Sequence, residues 1–135
     1  YAKLVEHGIS YVDATCPFVA KIHSIVANTD REKDIVLIAG DAEHPEIRGI
    51  MGHCPAPYYS FLTNFELENL TQSHPEFSSK RVVMVAQTTF NTLMWSECVK
   101  TAKRYIQISR FLIQYVMRRL IGKRNHKRFP NVWIS

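Results

Sequence analysis

Apolar and polar positions change period several times along this chain, and each change marks an element. Residues 9–14 (ISYVDA) are β-rich and follow the turn signal of Gly8, which predicts a strand. Pro17 sits at a first helical position, and Phe18, Val19, Ile22, Ile25 and Val26 keep helical spacing on one face. After a charged loop at 29–33, residues 35–39 (IVLIA) are continuously apolar, as in a strand covered on both faces. Pro45 opens a short helix that the spacing carries to Met51, before Gly52. A short strand at 58–62, a short helix at 64–70 and a polar loop at 71–79 follow. Residues 82–86 (VVMVA) repeat the buried-strand pattern, and from about Thr92 a helix carries Trp95, Cys98, Val99 and Ala102 as its apolar stripe. Strands alternating with helices predict an α/β fold, a mostly parallel sheet with flanking helices and right-handed crossovers.

Composition agrees with a folded domain. The chain has 135 residues, 46% hydrophobic and 21% charged, and no apolar run approaches the ~20 residues of a membrane helix. Its first residues lack the basic start and apolar core of a signal peptide. Three cysteines, an odd number without disulfide spacing, point to a reducing cytoplasm. A net charge of +5 and a pI near 9.2 invite a nucleic-acid reading, but the excess is local. Residues 1–105 carry 10 basic and 12 acidic side chains, a net of −2. Residues 106–135 carry seven basic side chains and no acid. The chain therefore divides into an α/β part, 1–105, and a basic tail, 106–135.

Ligands of a parallel sheet collect beyond the carboxyl ends of its strands, and three segments fall there. Cys16, beside Pro17 at a helix start, suits a nucleophile or a metal ligand, and equally a small residue at a tight turn. His44-Pro45-Glu46 places an imidazole and an acid in a first helical turn, fit to bind an anion and pass a proton, or merely to start a surface helix. Gln87-Thr88-Thr89 offers an amide and hydroxyls to a substrate, although taken alone it reads as a helix cap. Together they describe a site for an anion and a metal.

Asp13-Ala14-Thr15-Cys16-Pro17, His44-Pro45-Glu46 and Gln87-Thr88-Thr89, in this order and at these separations, resemble the LytB family, the 4-hydroxy-3-methylbut-2-enyl diphosphate reductases of the non-mevalonate isoprenoid pathway. Val19-Ala20-Lys21-Ile22-His23 and Arg48-Gly49-Ile50-Met51-Gly52 add to the likeness, which covers about residues 1–105, roughly the middle third of a member. The resemblance implies one of three similar α/β domains around a central [4Fe-4S] cluster, each giving one cysteine and leaving an open iron. Cys16 then matches the middle domain's cluster ligand, the only one of the three in this chain. His44 matches a contact to the substrate diphosphate, Glu46 the proton-delivering acid, and Thr88 a contact near the substrate hydroxyl. The implied reaction is reductive dehydroxylation of an allylic diphosphate to isopentenyl and dimethylallyl diphosphates. Its electrons come from a donor such as ferredoxin or flavodoxin, in the cytoplasm, without membrane or nucleic acid. Asp41 departs from the pattern, standing where many members have another histidine. His7, in His7-Gly8-Ile9-Ser10, lies too near Cys16 to match the family's His-Gly-Val-Ser and reads as surface. Cys54 and Cys98 match no cluster position and read as loop and core.

The family's third cysteine belongs soon after the helix of Trp95, in text like Asp-Thr-Ile-Cys-Asn-Ala-Thr, and residues 106–135 show nothing similar. Back-translation from Ile106 with permitted codons, read from the third base, gives Thr-Asn-Phe-Lys-Ile-Phe-Asp-Thr-Ile-Cys-Asn-Ala-Thr. The cysteine codon straddles Tyr115 and Val116. A frameshift just after Tyr105 explains the basic tail as out-of-frame translation, leaving this chain an incomplete and inactive reductase. The rival reading is a non-catalytic phosphate-binding module. In it Ile108, Phe111, Leu112, Tyr115 and Val116 face one side of a basic helix, bordered by Arg110, Arg118 and Arg119, that binds a membrane or nucleic acid.

Overall fold

The computed structural model describes residues 5–10, 14–106 and 111–114. Its elements run α1 (Pro17–Ala27), β1 (Asp34–Ala39), α2 (Pro45–Gly52), β2 (Tyr58–Phe61), α3 (Asn64–Ser73), a 3-10 turn (Pro75–Ser78), β3 (Arg81–Ala86), α4 (Thr92–Tyr105) and β4 (Phe111–Gln114). The four strands form one parallel sheet in the order β2-β1-β3-β4. The two continuously apolar strands take the centre, paired from Asp34↔Arg81 to Ala39↔Ala86.

Alternation along those strands sorts the core into two layers. Ile35, Leu37, Ala39, Val82, Met84 and Ala86 meet α3 and α4 through Leu67, Trp95, Cys98 and Ala102. Val36, Ile38, Val83 and Val85 meet α1 and α2 through Ile22, Val26, Ile47 and Ile50. These side chains are fully or almost fully buried, each burial stabilising by about 1.5–3 kcal/mol in an aliphatic case. Helices on both faces are what a sheet of such strands requires.

Polar caps set the element ends. Thr63 accepts the Glu66 N–H at α3 while Glu66 accepts the Leu62 N–H, a reciprocal box. At the amino edge of the sheet, the buried carboxylate of Asp34 accepts two hydrogen bonds from the Arg81 guanidinium, at 2.7 and 2.5 Å, and a third from the Asp30 N–H at 2.8 Å. One acid thereby ties β1 to β3 and closes the loop that precedes β1.

The structure corrects several expectations. The polar stretch at 71–79 is largely ordered: α3 runs on to Ser73, and the 3-10 turn at Pro75–Ser78 buries Phe77. Phe18 leaves the expected α1 face and stays 40% exposed. The strand expected at 9–14 falls mainly on residues 11–13, outside the described residues, while Ile9, Ser10 and Ala14 lie in neither strand nor helix. Residues 111–114 of the tail are a strand beside β3, not part of an amphipathic helix. Most of the basic tail lies outside the described residues.

Candidate functional site

The carboxyl edge of the sheet gathers the three sequence segments. The short loop between α1 and β1 brings the C-terminus of α1 to the amino edge of β1, so its N-terminus stands at the opposite, carboxyl edge. Cys16 is the N-cap residue there, half-buried, and its thiol makes no capping bond to the helix. Helix α2 begins at the same edge, with His44 as N-cap and Pro45 in the first turn. His44 Nδ1 accepts the Glu46 N–H at 3.2 Å, which fixes the neutral imidazole as the Nε2–H tautomer, on an exposed ring. An N–H donor at a positive helix end is suited to an anionic oxygen.

Glu46 and Thr88 meet directly. The Thr88 N–H donates to Glu46 Oε1 at 2.7 Å, and the Thr88 hydroxyl donates to Glu46 Oε2 at 2.9 Å. Thr88 is buried and Glu46 half-buried, so the pair is largely shielded from competing water. Because Oγ1 donates to Glu46, its lone pairs remain able to accept a hydrogen from a further hydroxyl. The expected cap role for this threonine segment is corrected: Asn91 caps α4, its Oδ1 accepting the N–H groups of Leu93 and Met94. Gln87 likewise bonds inside the protein, its amide donating to Thr89 Oγ1 at 3.0 Å. Asn91 was legible as an Asn before a helical run; Gln87 stood out as a possible substrate contact, and its bond to Thr89 had no sequence signal.

The other candidates take no part in the Glu46–Thr88 pairing. His7 is exposed, and Asp41, also exposed in the turn before α2, accepts the Glu43 N–H. Cys98 lies fully buried under α4, where burial, aided by Glu97, pushes its thiol up to about 11. Cys54 follows α2, and burial pushes its thiol up despite bonds with Thr29 and Ala56. Among the described residues no group of three or more His, Cys, Asp or Glu side chains is arranged to hold a metal ion. Cys16, a cysteine at a helix N-terminus, would hold one corner of an iron–sulfur cluster and does not make a complete ligand set. Among the described residues no helix is long and apolar enough to cross a membrane.

Fold and site together define an α/β domain with a candidate site at the carboxyl edge of a parallel sheet. The chain matches the LytB protein family over residues 1–127, and it belongs to that family. It is 36% identical over 100 residues to the 4-hydroxy-3-methylbut-2-enyl diphosphate reductase of Clostridioides difficile, covering 73% of this chain and 34% of that protein. The corresponding reductase of Campylobacter concisus is 32% identical over 115 residues, 85% of this chain and 36% of that one. The solved structure of (E)-4-hydroxy-3-methyl-but-2-enyl diphosphate reductase, the terminal enzyme of the non-mevalonate pathway, superposes with a TM-score of 0.69 at 26% identity, over 86% of this chain and 40% of that one. The chain thus spans about a third of the length of these curated relatives.

Proposed function

We propose that this chain is the part of a 4-hydroxy-3-methylbut-2-enyl diphosphate reductase that supplies one cluster ligand, a diphosphate contact and the proton-delivering acid. The observation that carries the reading is the Glu46–Thr88 pair, an acid with both oxygens on one threonine at the sheet's carboxyl edge. His44 Nε2–H and the α2 N-terminus bind the diphosphate, which leaves the far end of a short allylic chain to reach Thr88. There Thr88 Oγ1 accepts the substrate hydroxyl's hydrogen bond while donating to Glu46. When Glu46 carries a proton, reversing both bonds passes one through Thr88 to the leaving oxygen. The C–O bond breaks, water departs, and two electrons with a second proton complete the hydrocarbon product. A [4Fe-4S] cluster, when bound, supplies the electrons; Cys16 would hold one of its irons. Electron donor, cytoplasmic location and allylic diphosphate substrate belong to this same proposal, supported by the family and by three free cysteines.

The tail is part of the proposal: residues 106–135 are read out of frame. Gln114 pairs with Val85, two residues before Gln87, so β4 runs beside β3 toward the sheet's carboxyl edge. The shifted text sets its cysteine across Tyr115 and Val116, just after the last described residue of β4. Sequencing the gene across the Tyr105 junction tests this, and a shifted frame without Asp-Thr-Ile-Cys overturns it. With the frame restored in the full-length gene, Glu46→Gln should lower turnover by about 10²–10⁴-fold while the diphosphate substrate still binds. Turnover within twofold of the parent would remove Glu46 from the reaction.

A further inference from the structure

Gln87 is the buried residue between β3 and the Thr88–Thr89 turn, and every hydrogen-bonding group it is seen to use is committed to the protein. Its N–H donates to the Ala39 carbonyl at 2.9 Å, and its carbonyl accepts the Phe90 N–H at 2.9 Å. Its amide reaches across the turn to Thr89 Oγ1 at 3.0 Å. The two residues flanking Thr88 are therefore bolted to each other through the Gln87 side chain. The carboxamide has room to lie there because residue 40 lacks a side chain. A Cβ on Gly40, whose φ is 157°, would stand 2.9 Å from Gln87 Oε1 and 2.5 Å from Ile47 Cδ1. Ile47 is the neighbour of Glu46 on α2, so at the bare Cα of Gly40 the end of β1 packs against both α2 and the β3 turn.

We infer that Gln87 is a positioning residue: its carboxamide, packed against Gly40 and bonded to Thr89, fixes the turn that aims both donors of Thr88 at Glu46. The inference rests on the proposed reading of Glu46 and Thr88 as the proton-delivering pair, which gives that aim its purpose. Gln87 touches neither substrate nor cluster in this role. It acts through Thr88, and removing its amide frees the turn to rotate the Thr88 N–H away from Glu46 Oε1.

Amide hydrogen exchange on the full 135-residue chain, followed by NMR without substrate or cluster, tests this. Gln87→Leu keeps the bulk and removes the bond. Thr89→Val removes its acceptor at an exposed position, so it reports even where Gln87→Leu fails to fold. Both should speed exchange of the Thr88 amide about tenfold, the loss of one hydrogen bond, and leave the mid-strand amides of Leu37 and Met84 unchanged. Wild-type exchange at Thr88 in either folded variant overturns the inference, as does uniform acceleration across the sheet. Because the readout is geometry alone, its failure is distinct from failure of the reductase reading, which is decided by Glu46→Gln turnover.

Discussion

At Glu46 both carboxylate oxygens are taken by Thr88, and that one pairing joins the start of α2 to the end of β3. The neighbouring Gly40 permits the approach. Gly40→Ala should destabilise the chain by about 1–3 kcal/mol, since the new methyl must displace Ile47 or Gln87 from a filled site. Thermal unfolding of the variant measures this, and an unchanged midpoint would mean α2 shifts freely. The three thiols differ as sharply. At pH 8 a thiol held near 11 is about one part in a thousand thiolate, so Cys98 should resist iodoacetamide until the chain unfolds. Cys16 and Cys54, both half-buried, should label before it. Mass spectrometry of timed digests shows the order, and early labelling of Cys98 would contradict its burial under α4.

Among the elements, the β1–β3 pair is the fold's spine, and Asp34 with Arg81 secures its amino edge. Asp34→Ala removes three hydrogen bonds from a buried site, but the Arg81 side chain is 54% exposed and is not left stranded. The expected loss is about 2–3 kcal/mol, below that of a fully buried pair. A denaturant midpoint unmoved by the change would refute the staple. Two outer carboxylates respond to acid. The N–H groups of Glu32 and Lys33 hold Asp30 below its ordinary 3.8, and Glu76's own N–H, with the His74 imidazole, holds Glu76 below its ordinary 4.5. Depressed carboxylates stabilise the fold above their unfolded values and lose that contribution as pH falls through the folded ones. The melting temperature should therefore hold above about pH 5 and fall below about pH 4. A melting temperature that rises below pH 4 would reverse the sign.

Most elements were legible because apolar runs such as 35–39 and 82–86 admit one reading once helices flank them. Phe77 was missed because its aromatic ring stands in a stretch of Ser, His, Pro and Glu that looks like loop. The site was legible as text and not as geometry. His44, Glu46 and Thr88 stood out by motif, yet the Glu46–Thr88 contact spans 42 positions and depends on strand register. Gly40 carries no chemistry in the sequence, and the Gln87 amide read there as a substrate contact is instead bonded to Thr89; only the fold shows that the two lie close.

For the whole molecule, the carboxyl edge carries exposed apolar surface. Phe18, Leu93 and Met94 leave 40%, 76% and 37% of their surface exposed at the starts of α1 and α4, around the same edge as Cys16 and Thr88. Relatives about three times as long have more chain with which to cover such a surface. Among the described residues this edge carries one cysteine, Cys16, and the proposed chemistry needs a cluster held by several, so this chain alone should not retain one. Iron and acid-labile sulfide per chain, measured after anaerobic reconstitution of the 135-residue protein and gel filtration, test this central claim most directly. Far less than one cluster per chain is expected, whereas four irons and four sulfides retained on each monomer, as in a complete [4Fe-4S] site, would contradict it.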